Sequence, residues 1–191
     1  MKLHPWIAAR AACFAFGVAA SVSFARQYQI TEITSGATNG DWAAVGLNNT
    51  GQVVGWSVVG GVDCAFLWTP TSPNGTTGSI TLLPSVGSGL GAAAYGINDA
   101  GDVVGWAVQA FTDPEGNISY VPIGAVWRAG ALESLLTYPG YAAFGHGAHA
   151  INESGDVAGW FFPGGMATGL IWPAREAAYA RSSRCESRTI A

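Results

Sequence analysis

Three copies of one polar turn carry the residues that are best spaced in this sequence to do chemistry. The turn reads Asn-x-x-Gly from Asn48, Asn98 and Asn152, and an acid follows the glycine in the second and third copies. Such oxygens attract Ca²⁺, but calcium takes about six to eight of them, and the spacing is not that of an EF-hand loop. The first copy has Gln52 instead of the acid. Because Asn also bonds its own backbone in turns, we expect no cofactor, with calcium as the alternative.

The ten acids between positions 27 and 174 are the next candidates for chemistry. Two carboxyl groups that converge in a cleft can hydrolyse a glycosidic bond, so a secreted glycoside hydrolase is the catalytic alternative. Each of these acids lies in or beside a turn, where solvation is the ordinary role. The chain has no Gly-x-Ser-x-Gly motif, no phosphate loop and no lysine after Lys2. We therefore expect no catalytic activity.

Two histidines, His146 and His149, stand three residues apart. On an extended segment that spacing turns them to opposite faces. No Glu or Cys stands near them at ligand spacing. No metal site is expected here.

A small group of aromatic and acidic residues falls outside the repeated pattern: Trp42, Asp41 and Tyr141. Exposed aromatic rings beside carboxylates can stack on sugar rings and bind their hydroxyl groups. A glycan-binding module is therefore a further alternative, with these three residues as its site.

Charge excludes one class of partner. Arg128 is the only base between positions 27 and 174, where there are ten acids, so nucleic acid is not expected to bind. The other arginines of the C-terminal part cluster in residues 175–191, which we expect to form a basic, disordered tail.

The first 25 residues resemble an export signal. A basic start is followed by the apolar run Ala11 to Ala20 and by small residues before position 26. The run is too short to span a bilayer, so we expect a secreted or cell-surface protein with no membrane span after the signal is removed. Cys64 and Cys185 would then remain, and whether they form a bridge stays open.

A repeat organises residues 26–174. The turn segments align without gaps, each ends in Gly-Trp, and a second aromatic strand follows; the matched positions recur at intervals of 50 and 54 residues. They are Asn48, Gly51, Gly55, Trp56 and Trp68 in the first copy; Asn98, Gly101, Gly105, Trp106 and Trp127 in the second; and Asn152, Gly155, Gly159, Trp160 and Trp172 in the third.

Short Val-rich runs bounded by Gly and Asp predict hairpin strands rather than helices. The first two copies have four such segments each, so we predict an all-β chain of four-stranded antiparallel units. The glycine before each Trp should leave room for a neighbouring backbone or ring. The recurring tryptophans are expected to pack between units.

These motifs resemble the HAF repeat of bacterial extracellular proteins. That pattern runs Ala-x-x-Ile-Asn-x-x-Gly-x-Val-Val-Gly and then His-Ala-Phe-Leu-Trp; Ala94 to Gly105 match the first part, and Cys64 to Trp68 match the second, with Cys in place of His. The third copy departs most, with Ala150 in place of glycine. The resemblance implies a secreted or surface protein of a family without a general activity.

Units of this kind must stack to bury both faces. Radial stacking predicts a β-propeller-like fold, incomplete in three copies since closed propellers have about four to eight blades, and linear stacking predicts a β-solenoid. The strand-like segment 28–33 is expected to complete the third unit. Three explanations would reconcile a propeller with three copies. The ring is very small, or chains associate with one another, or the sequence is a fragment of a longer protein that is cut short at the arginine-rich tail. The expected role is structural or interactive, with an unknown surface ligand or glycan as partner.

Overall fold

The structure is a computed structural model that describes residues 30–33, 41–136, 144–162 and 165–174. The chain divides into two compact parts, Met1–Ile30 and Thr31–Ala191, and every strand lies in the second. The all-β prediction is confirmed: the described residues form eleven strands and no helix, and so none that could cross a membrane. The predicted signal, the basic tail, Tyr141 and Cys185 lie outside the described residues.

The strands form three separate antiparallel sheets, one for each repeat. The first unit is the sheet β1-β2-β3-β4 and the second is β5-β6-β7-β8, each in chain order. Their strands are β1 Trp42–Leu47, β2 Val53–Val59, β3 Val62–Pro70, β4 Gly78–Leu82, β5 Ala92–Ile97, β6 Val103–Thr112, β7 Ile118–Arg128 and β8 Ala131–Leu135.

The third unit has three strands in the described part of the chain: β9 His146–Ile151, β10 Val157–Phe161 and β11 Thr168–Trp172, with β10 in the middle. The predicted four strands are present in the first two units, and three strands of the third unit lie in the described residues. Residues 30–33 form no strand, so the expected pairing of segment 28–33 with this sheet is not seen in the residues described.

A bulge in the first strand of every unit explains why glycine precedes each Trp. The pairing register shifts at Val45 in β1, at Tyr95 in β5 and at His149 in β9. Beside the bulge the two backbones come so close that a Cβ on Gly105 would overlap the carbonyl oxygen of Ala93. Gly55 and Gly159 stand in the same relation to Ala43 and Gly147. Only glycine fits these sites.

The core lies between the sheets, which pack face to face. Strand β5 contacts β1, β2 and β3 of the first unit, and β9 contacts β5, β6 and β7 of the second. We call the face that a unit turns to the next unit its front face, and the opposite one its back face. In the first interface Val54 and Ala65 of the front face meet Ile97 and Trp127 of the back face; in the second, Val104 and Val126 meet Ala148 and Val157.

Candidate functional site

The three Asn-x-x-Gly turns close on themselves. In the second unit the side-chain Oδ1 of Asn98 accepts a hydrogen bond from the backbone N–H of Asp102, at 2.9 Å. The N–H of Gly101 donates to the carbonyl of Asn98 at 3.1 Å, and Gly101 has a φ of +85°. Because L-residues with side chains rarely adopt that φ, glycine is required there. Asn48 and Asn152 accept the same bond, from Gln52 and Asp156.

The other end of each asparagine side chain joins one unit to the next. The Nδ2 of Asn48 donates to the carbonyl oxygen of Asn98 at 3.0 Å, and the Nδ2 of Asn98 donates to that of Asn152 at 3.2 Å. Asn48 and Asn98 are buried, with 7% and 3% of their surface exposed. At the end of this asparagine ladder Asn152 is exposed, and its Nδ2 donates to Asp156 at 3.0 Å instead. The repeated asparagine is therefore an inter-unit clamp as well as a turn residue.

A second row of bonds runs beside the asparagine ladder through the next residue of each turn. The side-chain oxygens of Asp99 accept the backbone N–H and the side-chain Nδ2 of Asn49, at 2.8 and 2.7 Å. Glu153 accepts the backbone N–H of Asp99 at 3.1 Å. The bonds from Asn49, side chain first, lower the pKa of Asp99 because they stabilise its ionised form. Sequence reasoning missed this row, although a polar residue recurs at the position in all three copies.

The only base of the repeat body also holds a turn. Arg128 Nε lies 3.1 Å from the carboxylate of Asp102, and its Nη1 lies 2.6 Å from that of Glu133. The hydrogen bond with Asp102, opposed by a smaller desolvation, raises the pKa of Arg128. Asp102 is thus engaged in an ion pair and is not set up as a calcium ligand or a proton donor.

The predicted glycan-binding residues are only partly brought together. Asp41 is exposed, and its carbonyl accepts the N–H of Val58 at 3.0 Å. Its neighbour Trp42 is half-buried, with its ring 5.2 Å from that of the buried Phe66. The third member, Tyr141, lies outside the described residues.

The recurring tryptophans divide into two classes. Those of the second motif are the more buried: Trp127 is fully buried, and its Nε1 donates to the carbonyl of Pro84 in the preceding unit at 2.7 Å. Trp68 is 7% exposed, and Trp172 is half-buried. Those of the first motif, Trp56, Trp106 and Trp160, are all half-buried. The first-motif indoles are therefore less buried than Trp68 and Trp127.

The two histidines differ completely. His146 is buried between the second and third units, where its Nδ1 accepts the N–H of Gly124 at 2.9 Å. Burial lowers the pKa of His146, because the protonated ring would lose its hydration. His149 is exposed and stacks on Tyr95 with ring centroids 4.8 Å apart. No cluster of metal-ligating side chains occurs in the part of the chain that the structure describes.

One cysteine is described. Cys64 is a half-buried free thiol in β3 whose Sγ lies 3.6 Å from the carbonyl of Val62. It has no acid or histidine partner to activate it among its described contacts, so it shows no feature of a nucleophile.

A cavity of about 310 Å³ lies on the open front face of the third unit. Ala150, Ala158 and Ile171 line its apolar side, and Asn152 and Asp156 line one end. The corresponding faces of the other two units are covered by the next unit. This face is therefore where the stack of units stops in the described residues.

Comparison of the chain with models of protein families, with curated proteins and with solved structures found no match in any of the three.

Proposed function

We propose that this chain is a secreted, non-catalytic β-repeat protein that serves as a structural or binding scaffold, and that it is related to the HAF-repeat proteins. One observation carries this proposal. The repeated polar residues point at one another between units and do not converge in a cleft: Asn48 holds Asn98, and Asn98 holds Asn152. Polar residues that recur in every unit and bond the next unit serve to hold neighbouring units together.

The acids support a structural role in the same way. Asp99, Asp113 and Asp156 each bond a neighbouring asparagine, and in all three the pKa is lowered. A general acid of a glycoside hydrolase needs the opposite, a carboxyl group whose pKa is raised by burial or by a like charge. These three carboxylates therefore suit turns and ladders and not hydrolysis.

We also propose that the units are arranged as blades of an incomplete propeller. Solenoid coils would share hydrogen-bonded sheets along the stack, whereas these three sheets are separate and pack by their faces. The inter-unit contacts run mainly through the first strands β5 and β9. Sheets that are close at their first strands and apart at their last ones fan outward, as propeller blades do.

Export is tested by locating the chain in cells of its native organism. We expect it in the medium or at the cell surface, with an N-terminus just after Ala25. An intact N-terminus on a chain confined to the cytoplasm would contradict the proposal.

The binding role is tested with a glycan array. Saturable binding that is abolished by Asp41→Asn would favour the glycan-binding alternative, with Asp41 and Trp42 as its site. Trp42→Ala is the less clean variant because Trp42 packs on Phe66. Hydrolysis of any arrayed glycan would overturn the non-catalytic role.

A further inference from the structure

The contact between a front face and a back face occurs twice within the chain. The third unit at one end of the stack has a front face, and the first unit at the other end has a back face, that could form the same contact. On the front face of the third unit Ile171 is 72% exposed, whereas its equivalent in the second unit, Val126, is 5% exposed under β9. Ala158 is exposed, and its equivalent Val104 is fully buried. The third unit thus has an apolar front face that lacks the cover that the other two have.

The matching part of the first unit is the β1 side of its back face; Ser57, Phe66 and Trp68, on β2 and β3 of the same face, are already buried within the chain. Leu47 at the end of β1 is 69% exposed, and Ala44 in the same strand is also exposed. The residue equivalent to Leu47 in the second unit is Ile97, which is 9% exposed and packs against the first unit. Leu47 is therefore placed to fill a front face as Ile97 does.

The polar groups at the two ends are complementary as well. Asn152 occupies in the third unit the position from which Asn48 and Asn98 clamp the next unit. Those two side chains donate to the carbonyl oxygen of the next asparagine, and the Nδ2 of Asn152 has no such carbonyl among the described residues. In the first unit the carbonyl of Asn48 holds the position of that acceptor. Asn49 would face Glu153, so an uncharged amide would meet the carboxylate and no two acids would be opposed.

We propose that two copies of this chain join head to tail, the back face of each first unit covering the front face of the other third unit, to close a ring of six units. This inference relies on the propeller-like stacking proposed above. A heterologous contact leaves no free end only when a ring closes. Closed propellers have about four to eight blades. Two copies supply six units, which lies within that range, whereas one copy supplies three and three copies supply nine.

One residue sets the strength of this contact. A Cβ on Gly46 would lie 2.7 Å from the carbonyl oxygen of Tyr95, and one on Gly96 would lie 2.9 Å from that of His149. The third unit has Ala150 at the equivalent position, so its methyl group would press on the backbone of β1 in the second copy. The contact between copies is therefore looser than the contacts within a chain.

The test is the mass of the purified chain in solution, measured by light scattering or sedimentation. We expect a dimer for the wild type and monomers for Leu47→Asp and for Ile171→Asp. Both positions are exposed within one chain, so both variants should keep the wild-type circular dichroism spectrum, and they should keep the wild-type melting temperature when it is measured at concentrations too low for the dimer. Ile118→Asp, at a position that is 59% exposed and away from both end faces, is the matched control and should remain dimeric.

Mixing the two monomeric variants gives the sharper result. Each variant retains the half that the other has lost, so an equimolar mixture should form a one-to-one pair joined at a single contact. The ring has two such contacts, so Ala150→Gly should tighten the wild-type dimer about a hundredfold, since relieving the overpacked methyl group of one contact is worth about tenfold.

A monomeric wild type, an open filament, or a mixture that stays monomeric would each overturn the six-unit ring. None of these results bears on export or on glycan binding, so failure of the ring is distinguishable from failure of the proposed function. A spectrum that is mainly helical would instead overturn both.

Discussion

Ser57 is buried in the first unit, and its Oγ has no hydrogen-bond partner among the described residues. It pairs with Trp42 across β1 and β2, where the second unit has Ala107 paired with Ala92. A buried hydroxyl without a partner costs about 1 to 3 kcal/mol, since it has given up its bonds to water. The second unit shows that the site works without the oxygen.

We predict that Ser57→Ala raises the free energy of unfolding by about 1 kcal/mol. The reciprocal change Ala107→Ser should lower it by a similar amount, because it buries a hydroxyl in the equivalent site. Urea denaturation of both variants against the wild type measures this. A loss of stability in Ser57→Ala would mean that the hydroxyl has a partner after all.

His146 makes stability depend on pH. Its folded-state pKa is lowered from the ordinary 6.5, so the unfolded chain binds the proton more readily than the folded one. Stability should therefore be full above pH 6.5 and decline as the pH falls below it, because protonation also removes the acceptor of the Gly124 N–H.

The measurement is the melting temperature between pH 7.5 and 5. His146→Gln should flatten the decline over that range, at some cost in stability at neutral pH. His149→Gln is the control, since His149 is exposed, and it should leave the decline in place. An equal slope in the wild type and His146→Gln would refute this prediction.

At the level of the elements, the asparagine turns determine how strongly neighbouring sheets are held. We predict that Asn98→Ala costs about 2 to 3 kcal/mol, since it removes the bond that closes a turn, leaving the N–H of Asp102 without that acceptor, and also removes the bond between units to the carbonyl of Asn152. Asn152→Ala should cost about 1 kcal/mol, because that side chain is exposed and its bonds are local. Chemical denaturation compares the two, and equal losses would argue against the clamp.

The bulged first strands make a second prediction at this scale. Gly105→Ala should destabilise the chain by about 3 kcal/mol, since its Cβ would overlap the carbonyl of Ala93 and neither backbone can move away. Gly169→Ala, in β11, is the control: nothing lies within 4 Å of a Cβ there. It should change stability little or raise it slightly, because alanine restricts the unfolded chain. Thermal unfolding of the two variants measures the contrast.

The elements were largely predictable from the sequence, because turn chemistry and a two-residue period are local properties. Asn98 and Gly101 mark a turn whatever surrounds them. The second task of Asn98, its bond to Asn152, was not predictable, because it depends on how one sheet is placed on another. The same reason accounts for Trp106, whose half-burial depends on the shape of the neighbouring unit and not on its position in the repeat.

For the whole molecule, acid should weaken the stack. The pKa values of Asp99, Asp113 and Asp156 are lowered from the ordinary 3.8, each mainly by bonds from asparagine, so the folded chain keeps these charges longer than the unfolded one. Their contribution is present above pH 3.8 and is lost as the pH falls through their folded-state values. Relief of repulsion among the ten acids acts in the opposite direction.

We therefore expect an acid transition below pH 3.8, followed by circular dichroism. Asp99→Asn should make the chain less sensitive to this transition, because residue 99 then carries no titrating group. If the wild type kept its full stability down to pH 2, the carboxylate bonds would not matter to the stack.

In the clamping asparagines the side-chain oxygen closes the turn and the side-chain nitrogen binds the next unit. Loss of that nitrogen by deamidation would therefore affect one of these bonds and not the other. Slow deamidation of Asn98 would exchange its NH₂ group for an oxygen. The acceptor that closes the turn would survive, but the donor that reaches Asn152 would be gone. Where aspartate is the product, damage at a single amide nitrogen would thus loosen adjacent units while the bond that closes the turn is kept.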